Sequence, residues 1–179
     1  MMIVMITVIS YSMTGNNDKL ATGIVKEMNA EHIRITESEK RSNGKRAFDM
    51  LFGRKPKVEE SVKEMDMSGL VIFIAPVWMG QVASPLRGPM KELKGQLDRY
   101  AFVSISGGAN GPNPKIAKEL KKRLGKGPEA VIDMHIADLL PSDPKPTRKD
   151  TSDYLLNEKD AGKLTEKIQI ELKGMVYRV

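Results

Sequence analysis

The sequence contains no cysteine, one tryptophan and only two histidines among its 179 residues. Without cysteine the chain has no disulfides, no thiolate metal ligands and no cysteine nucleophile. His32 and His135 lie far apart, and no spacing of carboxylates around them predicts a metal site. The sequence therefore predicts neither a metal centre nor a catalytic acid or base.

Long hydrophobic runs are also missing. No stretch approaches the roughly 18 consecutive apolar residues typical of a membrane span. The opening residues "MMIVMITVIS" have no basic region before them and no small-residue cleavage site after them, so they predict a first strand and not a signal peptide. We expect residues 1–179 to form a single domain of a cytoplasmic protein.

Positive charge is concentrated in one segment of the sequence. Residues 40–57, "KRSNGKRAFDMLFGRKPK", contain seven Lys/Arg and one Asp, a net charge that equals the +6 of the whole chain. The rest of the chain has no net charge, so any attraction of an acidic partner or an anionic membrane would be expected at this segment. We expect a solvated insertion whose apolar residues reach the core. A short amphipathic membrane contact is the alternative, and nucleic acid is disfavoured because no nucleic-acid motif accompanies the charge.

Apolar runs alternate with helical spacings along the chain. Strands are predicted at 3–9, 32–36, 69–77, 101–106 and 130–140. Helix faces are predicted from Leu20, Ile24, Val25 and Met28; from Leu86, Met90, Leu93 and Leu97; from Ile116, Ala117, Leu120 and Leu124; and from Ala161, Leu164, Ile168, Leu172 and Met175. This alternation predicts an α/β fold with a five-stranded parallel sheet and helices on both faces. The basic segment precedes the third strand, where a helix would be expected.

Ligands of such sheets bind at the carboxyl ends of the strands, where the strand order reverses. After the first strand, Ser12, Thr14, Asn16 and Asn17 surround Gly15 just before a helix. Hydroxyls, amides and a helix N-terminus together favour an anion such as a phosphate monoester. The nucleotide P-loop and the dinucleotide Gly-x-Gly-x-x-Gly pattern are both absent. An ordinary turn with Asn16 as the helix cap is the alternative.

Two further turns fall on the same predicted edge. "APVWMGQVASP" follows the third strand, and its Trp78 would either cap the core or offer a flat face to a planar aromatic ligand. "SISGGANGPNP" follows the fourth strand, and its glycines would either let backbone approach a ligand or form a mobile loop.

These stretches carry a resemblance to a known family. "YSMTGNNDKLA" resembles the phosphate loop of the flavodoxin superfamily at Ser12, Thr14, Gly15, Asn16 and Ala21, with Asn17 in the place of a final Thr and Met13 in a place often taken by Gly. "FIAPVWMGQVASPLRGPMKEL" resembles the second flavin loop of relatives with a Pro-Val-Trp-x-Gly sequence, and "FVSISGGANG" resembles their third loop. "AFDMLFGRKPKV" resembles a segment that some of these flavoproteins carry before strand three. The similarity covers residues 3 to about 140, and residues 151–176 match only as a final helix.

The resemblance implies a three-layer, doubly wound flavodoxin-like fold with strand order 2-1-3-4-5 and one non-covalent FMN. Ser12, Thr14, Asn16 and Asn17 would bind the phosphate together with the backbone of Met13 and Gly15. Pro76, Val77, Trp78, Met79 and Gly80 would line the isoalloxazine, with Trp78 stacking on it. Ser106, Gly107, Gly108 and Ala109 would approach the pyrimidine end of the ring, where their N–H groups would tune its electronics.

Two departures from ordinary flavodoxins bear on function. The sequence pI is about 9.4, and no aromatic residue lies between Phe102 and Tyr154 to form a second wall around the flavin. An open flavin face would admit NAD(P)H or a quinone, so the first hypothesis is an FMN-dependent oxidoreductase of the NAD(P)H:quinone type. The second is a flavodoxin-type electron carrier whose acidic redox partner docks near residues 40–57.

Two other questions stay open at this point. A cofactor-free interaction module is a third hypothesis, which the intact Thr14, Gly15, Asn16 and Trp78 disfavour. His135, at the end of the fifth strand, would be either catalytic or, as we favour, a structural polar residue.

Overall fold

The computed structural model describes residues 5–37, 62, 67–108 and 111–176. The basic segment 40–57, Ala109 and the first two residues of the predicted first strand lie outside the described residues. Predictions that concern them are therefore not addressed by the structure.

Five parallel strands form the central sheet. In chain order they are β1 (Ile6–Ser10), β2 (Glu31–Arg34), β3 (Leu70–Ile74), β6 (Arg99–Ser106) and β7 (Ala130–His135). Two further short strands, β4 (Val77–Trp78) and β5 (Gln81–Val82), pair antiparallel as a separate hairpin that the sequence did not predict. The spatial order of the sheet is β2-β1-β3-β6-β7. Counted over the sheet alone this is 2-1-3-4-5, which confirms the predicted order.

Helices pack on both faces of the sheet, giving three layers. They are α1 (Asn16–Met28), α2 (Arg87–Glu92), α3 (Ile116–Leu124), α4 (Arg148–Asp153) and α5 (Glu158–Val176). The buried side chains of α1 and α5 belong to one hydrophobic cluster, and those of α2 and α3 belong to the other. Two clusters on opposite sides of one sheet are the packing that a doubly wound sheet requires.

The inner and outer strands differ in burial as their sequences predict. All five residues of β1 and all five of β3 are buried, because each strand is covered by helices on both faces. In β2, at the edge of the sheet, only Ile33 is buried. The two strands with continuous apolar sequences, β1 and β3, are thus central in the sheet, and the strand with an alternating sequence, β2, is at its edge, as predicted.

Two predicted elements end earlier than their apolar pattern suggests. The helix predicted over 86–97 is a 3₁₀ turn (Ser84–Leu86) followed by α2, which ends at Glu92. Gly95, with φ of 78°, turns the chain and donates its N–H to the Leu124 carbonyl. The strand predicted over 130–140 stops at His135, because its partner β6 ends at Ser106, the residue paired with His135.

The predicted C-terminal helix 151–176 is two elements. Residues 151–153 belong to α4, Tyr154 is extended, and α5 begins only at Glu158. The helix faces predicted for 20–28 and 116–124 are confirmed by α1 and α3.

Candidate functional site

A cleft of about 520 Å³ opens at the carboxyl ends of β1, β3 and β6. It lies where the strand order reverses, between β1 and β3, as expected for an open α/β sheet. Nine of the residues singled out from the sequence line it: Met13, Thr14, Asn16, Asn17, Pro76, Val77, Trp78, Ser106 and Gly107. Three segments far apart in sequence therefore meet at one site.

The remaining predicted residues lie elsewhere. Ser12 is adjacent in the loop, Gly15 faces a groove between α1 and α5, and Gly108 packs behind the cleft. Met79 and Gly80, at the tip of the β4–β5 hairpin, line a different groove between α2 and α3. Ala109 is outside the described residues.

The loop after β1 begins α1 without a side-chain cap. Gly15 is the N-cap residue, with φ of 96°, and among the described residues no side chain caps the first turn of the helix. The alternative in which Asn16 caps the helix is therefore wrong, since Asn16 is the first helical residue. Ser12 Oγ accepts the Gly15 N–H at 3.0 Å, which fixes the turn. The N–H groups of the first turn remain as donors at the positive end of the helix.

The Asn16 and Asn17 side chains hold the site together. Asn17 Nδ2 donates to the Ile105 carbonyl at 2.8 Å, and Asn17 Oδ1 accepts the Ile105 N–H at 3.0 Å. The last β3–β6 pair is Ile74 with Val103, so Asn17 replaces the backbone partner that β3 no longer provides. Each side-chain amide has two N–H groups, so Asn17 keeps one donor beyond this clamp.

Asn16 makes a similar clamp to the segment between α4 and α5. Its Nδ2 donates to the Tyr154 carbonyl, and its Oδ1 accepts the Leu156 N–H, both at 2.9 Å. Both asparagines are almost fully buried. Their amides therefore join α1 to β6 and to the C-terminal segment, a role that the sequence reading did not anticipate.

Trp78 stands on one wall of the cleft. Its indole contacts the Tyr11 ring edge-to-face, with centroids 5.9 Å apart and an interplanar angle of 88°. The Tyr11 hydroxyl donates to Glu37 Oε1 at 2.6 Å. Trp78 is half-buried against the core and also lines the cleft. Packing on the core, one of the two roles considered for it, is confirmed, and stacking on a planar ligand stays a prediction.

The glycines after β6 are needed for close packing. Gly108 has φ of 74°, and a Cβ atom there would lie 2.3 Å from His135 Cβ. At Gly107 a Cβ atom would lie 3.0 Å from Thr151 Oγ1, and the Gly107 carbonyl accepts the Ala137 N–H. The loop is thus held between β7 and α4 by contacts that only glycine permits at 108.

Helix α4 closes the opposite side of the cleft, and the sequence reading missed it. Thr151, Ser152 and Asp153 line the cleft, as does Ile136. The signal was present, because Thr147 and Asp150 form a capping box of the Thr-x-x-Asp type. The helix itself has only six residues, Arg148–Asp153, and such a short stretch does not show a helical spacing of apolar residues.

The cleft carries almost no formal charge. Asp153 is the one ionisable side chain among the described residues that line it, and Lys149 pairs with its carboxylate. That pairing raises the pKa of Lys149. Any anion bound here would meet hydroxyls and N–H dipoles in place of Lys or Arg side chains.

His135 packs against Gly108 of the loop that follows β6, which we call the glycine loop (Gly107 and Gly108), and it does not line the cleft. Its Nε2 is 3.3 Å from Asp133 Oδ2, and its Nδ1 is 3.7 Å from Asp138 Oδ2. Asp133 Oδ2 also accepts the backbone and side-chain N–H groups of Asn113. This position favours the structural role over the catalytic one.

No three His, Asp or Glu side chains of the described part of the chain lie close enough to hold a metal ion. Within the same residues no helix combines the length and the hydropathy of a membrane span.

Neither a family model nor a curated protein sequence matches this chain. Solved structures do match it. A flavoprotein from Lactobacillus acidophilus, determined in complex with FMN, is 22% identical over 73% of this chain and 93% of its own, with a TM-score of 0.61. The apo form of the flavoprotein from that organism gives a TM-score of 0.55 at 17% identity, over 77% of this chain and 97% of its own.

A protein from Bacteroides eggerthii, provisionally described as a flavoprotein, matches over nearly the whole chain. It covers 98% of this chain and 99% of its own at 13% identity, with a TM-score of 0.67. At such identities the likeness concerns the fold. With the sheet order and the layers described above, the chain has a flavodoxin-like fold.

Proposed function

We propose that the cleft binds FMN and that the protein is a redox flavoprotein. The observation that carries the proposal is the meeting, in one cleft, of an uncapped helix N-terminus, the only tryptophan and a tightly packed glycine loop. The volume of about 520 Å³ falls within the range of roughly 300–1,000 Å³ typical of small-molecule sites. The FMN bound by the Lactobacillus relative of the same fold supports this choice of ligand.

The phosphate would bind at the start of α1. The N–H groups of the first helical turn have no intrahelical partner, and no side chain in the described part of the chain caps them. Thr14 is exposed at the cleft and offers a hydroxyl. Asn16 and Asn17 would contribute backbone N–H groups and the one side-chain N–H that each retains. Dipoles at a helix N-terminus stabilise a phosphate without a cationic side chain.

The ring would lie between the β4–β5 hairpin and the glycine loop. Trp78 would offer its indole face, Pro76 and Val77 an apolar floor, and Ser106 and Gly107 their backbone N–H groups. Bound FMN supplies the hydride or electron transfer, while this chain positions it and sets its electronics. Met79 and Gly80 would contact at most the edge of the ring, because they face away from the cleft.

We further propose an NAD(P)H:quinone type of oxidoreductase. Trp78 is the one aromatic among the described residues that line the cleft, and the far wall is formed by Ile136, Thr151 and Ser152. A ring with an aromatic wall on one side only leaves room for a second planar molecule to stack. A flavodoxin-type carrier, in which two aromatics would enclose the ring, is less well supported by this lining.

Titration of the purified protein with FMN and with riboflavin tests the cofactor. We expect flavin fluorescence to change on binding, and riboflavin to bind at least about tenfold more weakly, since it lacks the phosphate. Thr14→Val should weaken FMN binding about tenfold and leave riboflavin binding unchanged. Thr22→Val is the matched control, because Thr22 is an exposed threonine of α1 outside the cleft. Failure of FMN to bind would refute the proposal.

Steady-state oxidation of NADH or NADPH by the FMN-loaded protein, with a soluble quinone as acceptor, tests the reaction. Multiple turnovers are expected if the ring is open to a nicotinamide. If FMN binds but no turnover occurs with any quinone, the carrier hypothesis is favoured.

A further inference from the structure

A second, larger depression lies on the other side of the β4–β5 hairpin. It has a volume of about 1510 Å³ and runs between α2 and α3. We call it the basic groove. Six lysines line it: Lys91, Lys94, Lys115, Lys118, Lys121 and Lys122.

The basic groove concentrates the positive charge of the described chain. With Arg87 and Arg123 its lining has eight basic side chains, against a single carboxylate, that of Glu119. The resulting net charge of +7 exceeds the +6 of the entire chain. The even balance that the sequence shows outside residues 40–57 therefore conceals a strongly cationic surface.

The two arginines are engaged within the protein. Arg123 pairs with Glu119 and also donates to Gln81 Oε1 at 3.3 Å. Arg87 is 4% exposed and donates its Nε–H to the Val82 carbonyl. Burial, and then the charge of Arg123, lower the pKa of Arg87. The groups best suited to fork-like recognition of a phosphate are thus used internally or buried.

The six lysines, in contrast, are exposed. Lys118 and Lys122 are four residues apart on α3, and Lys118 and Lys121 are three apart, so these ammonium groups are neighbours on the helix surface. Like charges at such spacings destabilise a helix slightly. An acidic partner would relieve that repulsion.

The lining also indicates which class of anion fits. Among the described residues of the basic groove there is no aromatic ring for a base to stack on and no hydroxyl to bind a phosphate. Met79, 77% exposed at the hairpin tip, is its one large exposed apolar side chain, which is too little for insertion into a bilayer. Exposed lysines around a single methionine suit a broad carboxylate-rich protein surface.

We propose that the basic groove is the docking surface for an acidic protein partner. The hairpin joins it to the cleft, since Val77 and Trp78 line the cleft while Met79 and Gly80 line the groove. A partner bound there would rest beside the redox site. That this partner exchanges electrons with FMN depends on the proposed function, whereas the docking itself does not.

Two charge-reversal variants of the full chain provide the test. The groove variant changes Lys91, Lys94, Lys118 and Lys122 to Glu. The control variant changes Lys159, Lys163, Lys167 and Lys173 to Glu, because these exposed lysines lie on α5, on the opposite face of the sheet. Both variants alter the net charge equally. The probe is a fluorescently labelled peptide of alternating Glu and Gly residues, followed by fluorescence anisotropy.

We expect the groove variant to bind the peptide at least about tenfold more weakly than the control variant. Equal weakening in both variants would mean that binding follows net charge or another basic stretch, and would overturn the proposal. It would also be overturned if the unaltered protein preferred a thymidine oligonucleotide or phosphatidylserine vesicles to the peptide. Far-ultraviolet circular dichroism and Tm of both variants check that each is folded.

FMN titration of the same three proteins separates the two proposals. If peptide binding is lost selectively in the groove variant while no protein binds FMN, docking stands and the proposed function fails. If all three bind FMN equally and the groove variant binds the peptide as well as the control does, the docking proposal fails alone.

Discussion

The cleft and the basic groove lie on either side of one hairpin, and they differ in nearly every property that bears on binding anions. The cleft is lined by hydroxyls, amides and backbone, with Asp153 as its one ionisable group among the described residues. The groove is lined by eight basic side chains. The first is suited to one phosphate at a fixed point, because dipoles act over short distances. The second is suited to an extended acidic surface, because charges act over about a Debye length of 10 Å.

The two regions also differ in how closely they are packed. Around the cleft, a Cβ atom on Gly107 or Gly108 would lie within 3.0 Å of a neighbouring side chain, and Asn16 and Asn17 are hydrogen-bonded to backbone. In the groove, a Cβ atom on Gly80 would meet no atom of the described residues within 4 Å. A preorganised site and an open surface therefore share a single element, the β4–β5 hairpin.

The largest expected effect tests this difference in packing. Gly108 and Gly80 both have φ of 74°, so an alanine at either would cost roughly 1–2 kcal/mol in backbone strain. Gly108→Ala adds a clash with His135, and we expect a total loss of about 4 kcal/mol in the free energy of unfolding. Urea denaturation of both variants measures the difference. Equal losses would show that the glycine loop is not tightly held.

The next effect concerns the clamp made by Asn17. Asn17→Ala leaves the buried N–H and carbonyl of Ile105 without these partners, at about 1–3 kcal/mol for each group. We expect the free energy of unfolding to fall by about 3 kcal/mol in urea denaturation. Gln96→Ala is the control, since that exposed amide makes one hydrogen bond near the groove, and it should cost less than about 0.5 kcal/mol. A loss as small as the control's would contradict the clamp.

Salt should separate the two kinds of anion site. Between about 50 and about 500 mM NaCl, peptide binding to the basic groove should weaken at least about tenfold, because exposed charges are screened. FMN affinity should change by less than about twofold, since its phosphate would be held by neutral donors. The same fluorescence titrations measure both. If salt weakened peptide binding and FMN binding to the same extent, the two sites would not differ in how they bind anions.

The smallest effect concerns Trp78. Stacking on its indole should disfavour added negative charge on the bound flavin, so Trp78→Ala should raise the midpoint potential on the order of 30 mV, or about 1.4 kcal/mol for two electrons. Trp78→Phe, which keeps an aromatic face, should shift it less. Redox titration of the FMN-loaded proteins measures both, and an unchanged potential in Trp78→Ala would refute the stacking role.

Local pattern predicted most of the architecture. Continuous apolar runs gave β1 and β3 as central strands, and the helical spacings at 20–28 and 116–124 gave α1 and α3. The pattern misjudged the ends of elements where a distant partner decides the length. Thus β7 stops where β6 does, and α2 ends before Gly95.

The candidate site was found in outline but not in its details. Parallel strands bring their carboxyl ends to one edge, so three turns could be assigned to a common cleft before their geometry was known. The side-chain roles of Asn16 and Asn17 could not be inferred, because their partners at Ile105, Tyr154 and Leu156 are some 88 to 140 residues away in the chain.

By itself, then, the amino-acid sequence determined the α/β class, the five strands and the sheet edge at which the candidate cleft opens. Burial of one face of a helix or strand produces a periodic pattern of apolar residues, and parallel strands place their carboxyl ends at one edge. Only the tertiary structure decided which charges stand together. The groove lysines are spread over some thirty residues, and acidic residues elsewhere offset their charge when the whole sequence outside 40–57 is summed. They form one cationic groove because α2 and α3 pack side by side on the same face of the sheet. Electrostatic potential depends on distances in space, and those are fixed by packing.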